Sequence, residues 1–305
     1  MAGMKPAWRA VAVLAAAVLA SACVVHVDTE GQIVREEKRF TVSGTPDLRI
    51  ATFDGAIEVQ SWDRADVLIE IEKRGATKEA VEALQIVATQ DGPRIELEVK
   101  RPRSESFSGI GFHRTASARL IVSVPRQTNL RARSGDGSIR VERVNGRLEL
   151  RTGDGSIRAM DVSGELVMNT GDGSLTVTGA AGALEADTGD GGVNVSGRLG
   201  RVKLHTGDGS IVYRAEPESR MAGDWELTTG DGGVTVYLPE GFNAELDAHT
   251  GDGSVRSDLN VSTGELEEEE EETEARRRTL RGRIGDGGSR LRIRTGDGAI
   301  RLRPS

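Results

Sequence analysis

Hydrophobic and polar residues alternate along most of this chain, and the alternation takes two forms. Over residues 38–132 it has period two without any longer repeat: Phe40 and Val42, Leu48 and Ile50, Ile57 and Val59, Val67, Ile69 and Ile71, Ile95, Leu97 and Val99, Leu120, Val122 and Val124. Period two places successive side chains on opposite faces of a strand, so this region reads as an all-β N-terminal unit. Thr77 can cap one short helix running through Leu84. From residue 133 onward the alternation is locked to an 18-residue repeat. Ile139, Ile157, Leu175, Val193 and Ile211 are equivalent, as are Val141, Ala159, Val177, Val195 and Tyr213. A second strand repeats Leu148, Leu166, Leu184 and Val202, then Leu150, Met168, Ala186 and Leu204. Each copy ends in Thr152, Thr170, Thr188 or Thr206.

A fixed period of this length means stacked copies of one small unit. Two strands per 18 residues predict an all-β, parallel β-helix-like β-solenoid over residues 133–303, with each column of equivalent side chains forming a ladder about 4.8 Å in step. Asn145-Gly146 would also suit an antiparallel hairpin, but identical columns every 18 residues favour parallel coils. The corners carry the phrase Thr-Gly-Asp-Gly-Ser. Its aspartates fall at Asp136, Asp154, Asp172, Asp190 and Asp208, then less regularly at Asp231, Asp252, Asp286 and Asp297. After Asp208 the period loosens: Glu216 to Asp224 forms an added loop, followed by Trp225 as a local cap on the core.

The Asp ladder is the first candidate for chemistry. In a turn, an Asp carboxylate can accept the backbone N–H two residues on, with Gly supplying positive φ. Stacked carboxylates about 5 Å apart repel by about 0.8 kcal/mol even at the dielectric of water. Arg140 and Arg158 follow the first two copies, but Thr176, Asn194 and Val212 follow the next three, so arginine cannot neutralise the whole ladder. Ca²⁺ takes six to eight oxygens, which makes Asp136, Asp154, Asp172, Asp190 and Asp208 candidate metal ligands beside the purely structural reading. Catalysis by paired carboxylates needs a unique constellation. These aspartates are periodic, and His26, His113, His205 and His249 show no metal spacing. A non-enzymatic protein is expected.

Two further segments stand out. Within Arg101–Thr115 the residues Phe107, Ile110 and Phe112 lie among Ser and Gly, a candidate partner loop that could equally fold back on the sheet. At the C-terminus Arg290, Arg292, Arg294, Arg301 and Arg303 alternate with Leu291, Ile293, Ile300 and Leu302. Charge on a terminal strand discourages edge-to-edge pairing, and the alternative is an anionic glycan or lipid phosphate.

Net charge is −8, yet residues 265–274 alone hold eight Glu, so the acidity belongs to a Glu-rich insert at 263–278 and the rest is balanced. No basic stripe interleaved with aromatics appears, which argues against nucleic acid. Cys23 is the sole cysteine and rules out any intrachain disulfide. It follows Lys5, Arg9 and an apolar run, Val11 to Ala20, too short for the roughly 20 residues of a membrane-spanning helix. Residues 1–22 therefore read as a signal peptide. Leu19-Ala20-Ser21-Ala22-Cys23 resembles the bacterial lipoprotein lipobox, which implies lipidation at Cys23, a tether over 23–37 and a place in the cell envelope. Val24 tilts that place toward the outer membrane of a Gram-negative host.

Leu120-Ile121-Val122-Ser123-Val124-Pro125 leading into Ser134-Gly135-Asp136-Gly137-Ser138-Ile139, with Val236-Tyr237-Leu238-Pro239 and the last Gly-Asp-Gly copies, completes a recognisable pattern. Over most of residues 38–303 it resembles the bacterial "putative adhesin" domain of unknown function, a β-solenoid found in lipoproteins and envelope proteins. The Glu-rich insert departs from that pattern. The resemblance implies a surface-exposed binding or structural role and brings no catalytic residues. The expectation is an adhesin-like or structural scaffold, lipid-anchored to the membrane, facing envelope polysaccharide or a surface protein. The alternatives are a Ca²⁺-stabilised carbohydrate-binding module and a polysaccharide-active β-helix enzyme.

Overall fold

The computed structural model describes residues 26–28, 33–100, 116–263 and 278–305. Cys23, the segment carrying Phe107, Ile110 and Phe112, and the Glu run lie outside the described residues.

The chain forms a two-faced parallel β-solenoid. Every repeat column is a cross-strand pair: Ile139 lies beside Ile157 and Ile157 beside Leu175, while Leu148 lies beside Leu166 and Leu166 beside Leu184. Each coil lays one segment on each of two sheet faces, and in two coils, Leu175–Thr188 and Val193–Thr206, a single strand runs through both. Asn145–Arg151 and Ser163–Thr170 belong to the first sheet, Ile139–Glu142 and Ile157–Met160 to the second. The inward residues fill the space between the sheets. Ile139, Ile157, Leu175, Val193, Ile211, Val234 and Ile300 are all buried, which explains how a chain with 3% aromatic residues makes a core.

The strands of residues 38–132 continue the same two sheets. Asp47–Thr52 pairs in parallel with Arg94–Lys100 on one side and Asn129–Ser134 on the other. Ile57–Trp62 lies likewise between Ser117–Pro125 and Ile139–Glu142. At this end antiparallel strands cover the stack: Gln85–Asp91 on the first sheet, Asp66–Arg74 and then Ile33–Thr41 on the second. The helix spans Lys78–Glu82, capped as expected by Thr77, whose hydroxyl accepts the Ala80 N–H at 3.2 Å. It ends before Leu84, which is buried in the core.

The far end departs from chain order. Arg290–Thr295 sits between Trp225–Thr229 and Ala244–Thr250. Ile300–Pro304 sits between Val234–Leu238 and Val255–Ser257. The C-terminal coil is therefore interior to the stack, and its arginines do not protect an exposed terminal edge. That end is covered instead by the antiparallel strand Thr279–Ile284 on Ala244–Thr250, with Val261–Ser262 beyond it. Terminal caps of this kind stop coils from adding indefinitely.

Trp225 is not a lid. It takes the place of a Leu in the repeat column, directly beside Val202, and is fully buried. Its indole N–H donates to the Gly200 carbonyl at 3.1 Å. Its ring lies 5.1 Å from those of both Tyr213 and Phe242, edge-on and tilted contacts that suit aromatic quadrupoles.

Candidate functional site

The repeated phrase forms one edge of the solenoid, and the chemistry there is carried by the residue before it. The hydroxyls of Thr152, Thr170, Thr188 and Thr206 are buried. Each donates to the second glycine carbonyl of the neighbouring coil: Thr152 to Gly137 at 2.8 Å, Thr170 to Gly155 at 2.8 Å, Thr188 to Gly173 at 2.9 Å, Thr206 to Gly191 at 2.8 Å. Several accept in turn from their own corner, as Thr206 does from the Gly209 N–H at 3.1 Å. Glycine amides add a second rail: Gly171 donates to Gly153, Gly189 to Gly171 and Gly207 to Gly189, each at 2.6 Å. Thr229, Thr250 and Thr295 extend the ladder through the inserted C-terminal coil.

The glycines are required by stacking and not by φ. Gly137, Gly155, Gly173, Gly191 and Gly209 do not have positive φ. A Cβ at Gly155 would lie 2.2 Å from the Gly137 carbonyl oxygen, and one at Gly191 would lie 2.0 Å from that of Gly173. The opposite corner does use positive φ, twice per coil: at Arg143 and Gly146, Asp161 and Gly164, and Gly179 and Gly182.

Asp136, Asp154, Asp172, Asp190 and Asp208 are all exposed along this edge. No hydrogen bond or ion pair holds their carboxylates among the described residues; the turn bond expected of the Asp belongs to the Thr hydroxyl. Arg140 does not neutralise Asp136; its nearest acidic partner is Glu142 at 3.7 Å. Among the described residues no group of three or more His, Cys, Asp or Glu side chains could hold a metal ion. The turn carbonyls a cation would need already accept the Thr hydroxyls. Asp286 is not a corner at all. It lies in a loop with positive φ at Gly285, Gly287 and Gly288, where its N–H donates to the Asn243 side chain at 2.8 Å. The signal was present: Ile284 stands where every true corner has Thr or Ser. Conversely, Thr52-Phe53-Asp54-Gly55 is a corner that lacks the first glycine, with Thr52 donating to the Asp54 carbonyl at 3.0 Å.

The two outer faces differ. On the first sheet, charges of opposite sign meet across coils: Arg131 and Glu149 at 2.7 Å, Lys203 and Glu185 at 2.8 Å, and Arg147 with Glu165. Partial burial pushes the Glu149 carboxyl up, but the hydrogen bond from Arg131 and the charges of Arg131 and Arg151 outweigh it and hold the group below the usual carboxylate range. Asp247 behaves alike: burial raises it, but Arg294 at 2.5 Å and Arg281 at 3.1 Å together lower it by more. A groove of about 400 Å³ opens on this face, lined by Arg49, Ala51, Val87, Glu96 and Arg133 among others. On the second sheet Arg140 stands beside Arg158, the middle coils show neutral residues, Thr176, Thr178, Asn194 and Ser196, and the distal coils show arginine again. His205 is one of the outward side chains of the first sheet, and His249 Nδ1 meets the Thr279 hydroxyl at 2.9 Å.

Fold and corner together define a two-faced parallel β-solenoid held by a Thr-Gly ladder. Residues 46–303 match the family described as Toastrack DUF4097, and the chain belongs to that family. Among solved structures, a "putative adhesin" from Bacteroides fragilis aligns over 88% of this chain and 96% of its own, at 10% identity and TM-score 0.44. A "putative lipid binding protein" from Parabacteroides distasonis covers 88% and 96%, at 13% identity and TM-score 0.43. A "putative adhesin" from Parabacteroides merdae covers 92% and 99%, at 12% identity and TM-score 0.40. A comparison with curated proteins finds no match.

Proposed function

We propose that this protein is a non-catalytic, lipid-anchored scaffold of the cell envelope that binds through the outer faces of its solenoid, in the manner of an adhesin. One observation carries the reading: the repeated motif is consumed by the fold. Thr hydroxyls and Gly amides of the phrase bond to the next coil, so the motif builds length rather than a reaction centre. What the length provides is two flat faces with side chains in rows, one coil apart. The ten coils among the described residues give nine spacings of about 4.8 Å, roughly 43 Å of regular surface. Such a surface suits a repetitive partner, and the lipid at Cys23 would hold it at the membrane, because two or more acyl chains anchor stably.

The test is metabolic labelling with a radioactive fatty acid, comparing wild type with Cys23→Ala and fractionating the cells. Label and membrane association in the wild type, both lost in Cys23→Ala, support the anchor. Equal labelling of the two proteins would sink it.

A further inference from the structure

We propose that the outer face of the second sheet, over the coils farthest from where residue 33 enters, binds an anionic polysaccharide through Arg214, Arg256, Arg301 and Arg303. The pairing places these residues together. Arg214 lies beside Tyr237 and Tyr237 beside Arg303; Arg256 lies directly beside Arg301. All four arginines are exposed.

Their partners set them apart from the arginines on the other face of the same coil. On the first sheet Arg292 faces Glu226 at 4.0 Å, Arg294 faces Asp247 at 2.5 Å, and Arg281 shares that carboxylate at 3.1 Å. On the second sheet, among the described residues, the one carboxylate within ion-pair reach of the four is Asp258, 3.8 Å from Arg303. Arg256 and Arg301 stand directly opposite each other, a like-charge pairing that costs stability and that a bound anion would relieve. Edge protection does not account for them, because Ile300–Pro304 is covered on both sides.

The geometry selects a polymer. The guanidinium of Arg214 stacks over the Tyr237 ring at 3.8 Å. The stacking holds it flat on the sheet and reduces the freedom a ligand would have to remove. The other cations repeat at the coil spacing of about 4.8 Å across strands and at about 6.6 Å along them. The face is open, so an isolated ion gains little, whereas an extended chain bearing carboxylates or sulfates can engage several forked donors at once. The choice of polysaccharide over membrane rests on the proposed anchor: residue 33 and the Arg face lie at opposite ends of the stack, which turns this face away from the lipid.

Purified protein without its acyl chains is titrated with alginate, a carboxylated polysaccharide, with neutral dextran and with phosphatidylglycerol vesicles. Alginate binding that weakens with added salt is expected, with none to dextran. Arg256→Gln/Arg301→Gln is expected to lose roughly tenfold in affinity. Arg147→Gln/Arg201→Gln, the same charge change on the opposite face, should bind like wild type. Removing a like-charge pair should not lower the melting temperature, and Arg303→Gln serves as an independent variant if it does. Absence of alginate binding, equal loss in both double variants, or binding to vesicles alone would overturn the proposal. Because the assay needs no anchor, its failure and the failure of the lipidation reading are separately visible.

Discussion

A single added methyl group at the corner tests the stacking argument. In Gly191-Gly192 two adjacent glycines have opposite expected tolerances. A Cβ at Gly191 would sit 2.0 Å from the Gly173 oxygen, whereas real contacts begin near 3.0 Å, so the coils must separate by about 1 Å. Both partners are backbone, and no rotamer change relieves the clash. The bonds across that joint include Thr188 Oγ1 to Gly173 O at 2.9 Å and Leu175 N to Gly192 O at 3.0 Å. Stretched by that amount they pass out of hydrogen-bond range. Two buried bonds at about 1–3 kcal/mol each give a loss of roughly 2–6 kcal/mol for Gly191→Ala. At about 2–4 °C per kcal/mol for a chain of this order of size, melting should fall by roughly 5 °C or more. At Gly192 the nearest atom to a Cβ is the Ser210 oxygen at 3.6 Å, and the equivalent positions hold Ser138, Ser156 and Ser174. Gly192→Ser should therefore melt at or slightly above wild type. Thermal melts followed by circular dichroism decide the matter. Gly191→Ala melting with wild type, or Gly192→Ser as damaging as Gly191→Ala, would refute the stacking account.

Other expectations follow from the same geometry. Thr188→Val keeps the shape but leaves the Gly173 carbonyl short of a donor, and should cost about 1–3 kcal/mol in urea unfolding. Trp225→Ala empties a fully buried site between Tyr213 and Phe242 and should cost about 3–5 kcal/mol, read in the same assay. Asp247 is held below its ordinary value of 3.8 by Arg294 and Arg281. Its stabilising contribution is thus present above that value and is lost as pH falls through the lower, folded one. The stability gap between wild type and Asp247→Asn should close over that acid range and stay constant above it. Melting curves in Ca²⁺ and in EDTA should coincide, since Thr and Gly already hold the corner; a rise in Ca²⁺ alone would support the metal reading.

Much of the fold was legible because a solenoid turns sequence period into spatial contact. The columns Ile139–Ile157–Leu175 and Thr170–Thr188 appear as neighbours in the sheets without adjustment. What the period could not reveal was which coil lies beside which when chain order breaks. The coil ending in Thr295 pairs with those of Thr229 and Thr250, yet all three carry the same phrase, so local pattern cannot rank the neighbours. The Asp54 corner was hidden for a related reason: the antiparallel strands of residues 66–91 interrupt the spacing between it and Asp136. The role of the phrase was half visible. Its glycines and threonines are conspicuous, but only the distances show that the hydroxyl, and not the carboxylate, closes the turn. The contrast between the two faces was not legible, because it depends on which carboxylate each arginine meets across coils.

The central claim is that the Gly-Asp-Gly phrase builds the scaffold and is not itself a site. Replacing Asp136, Asp154, Asp172, Asp190 and Asp208 together by Asn, then measuring melting and alginate binding of the same protein, tests it most directly. The account predicts melting at or above wild type, as repulsion along the edge is relieved, and unchanged binding through the arginine face. A variant that fails to fold, or that folds but no longer binds, would contradict it.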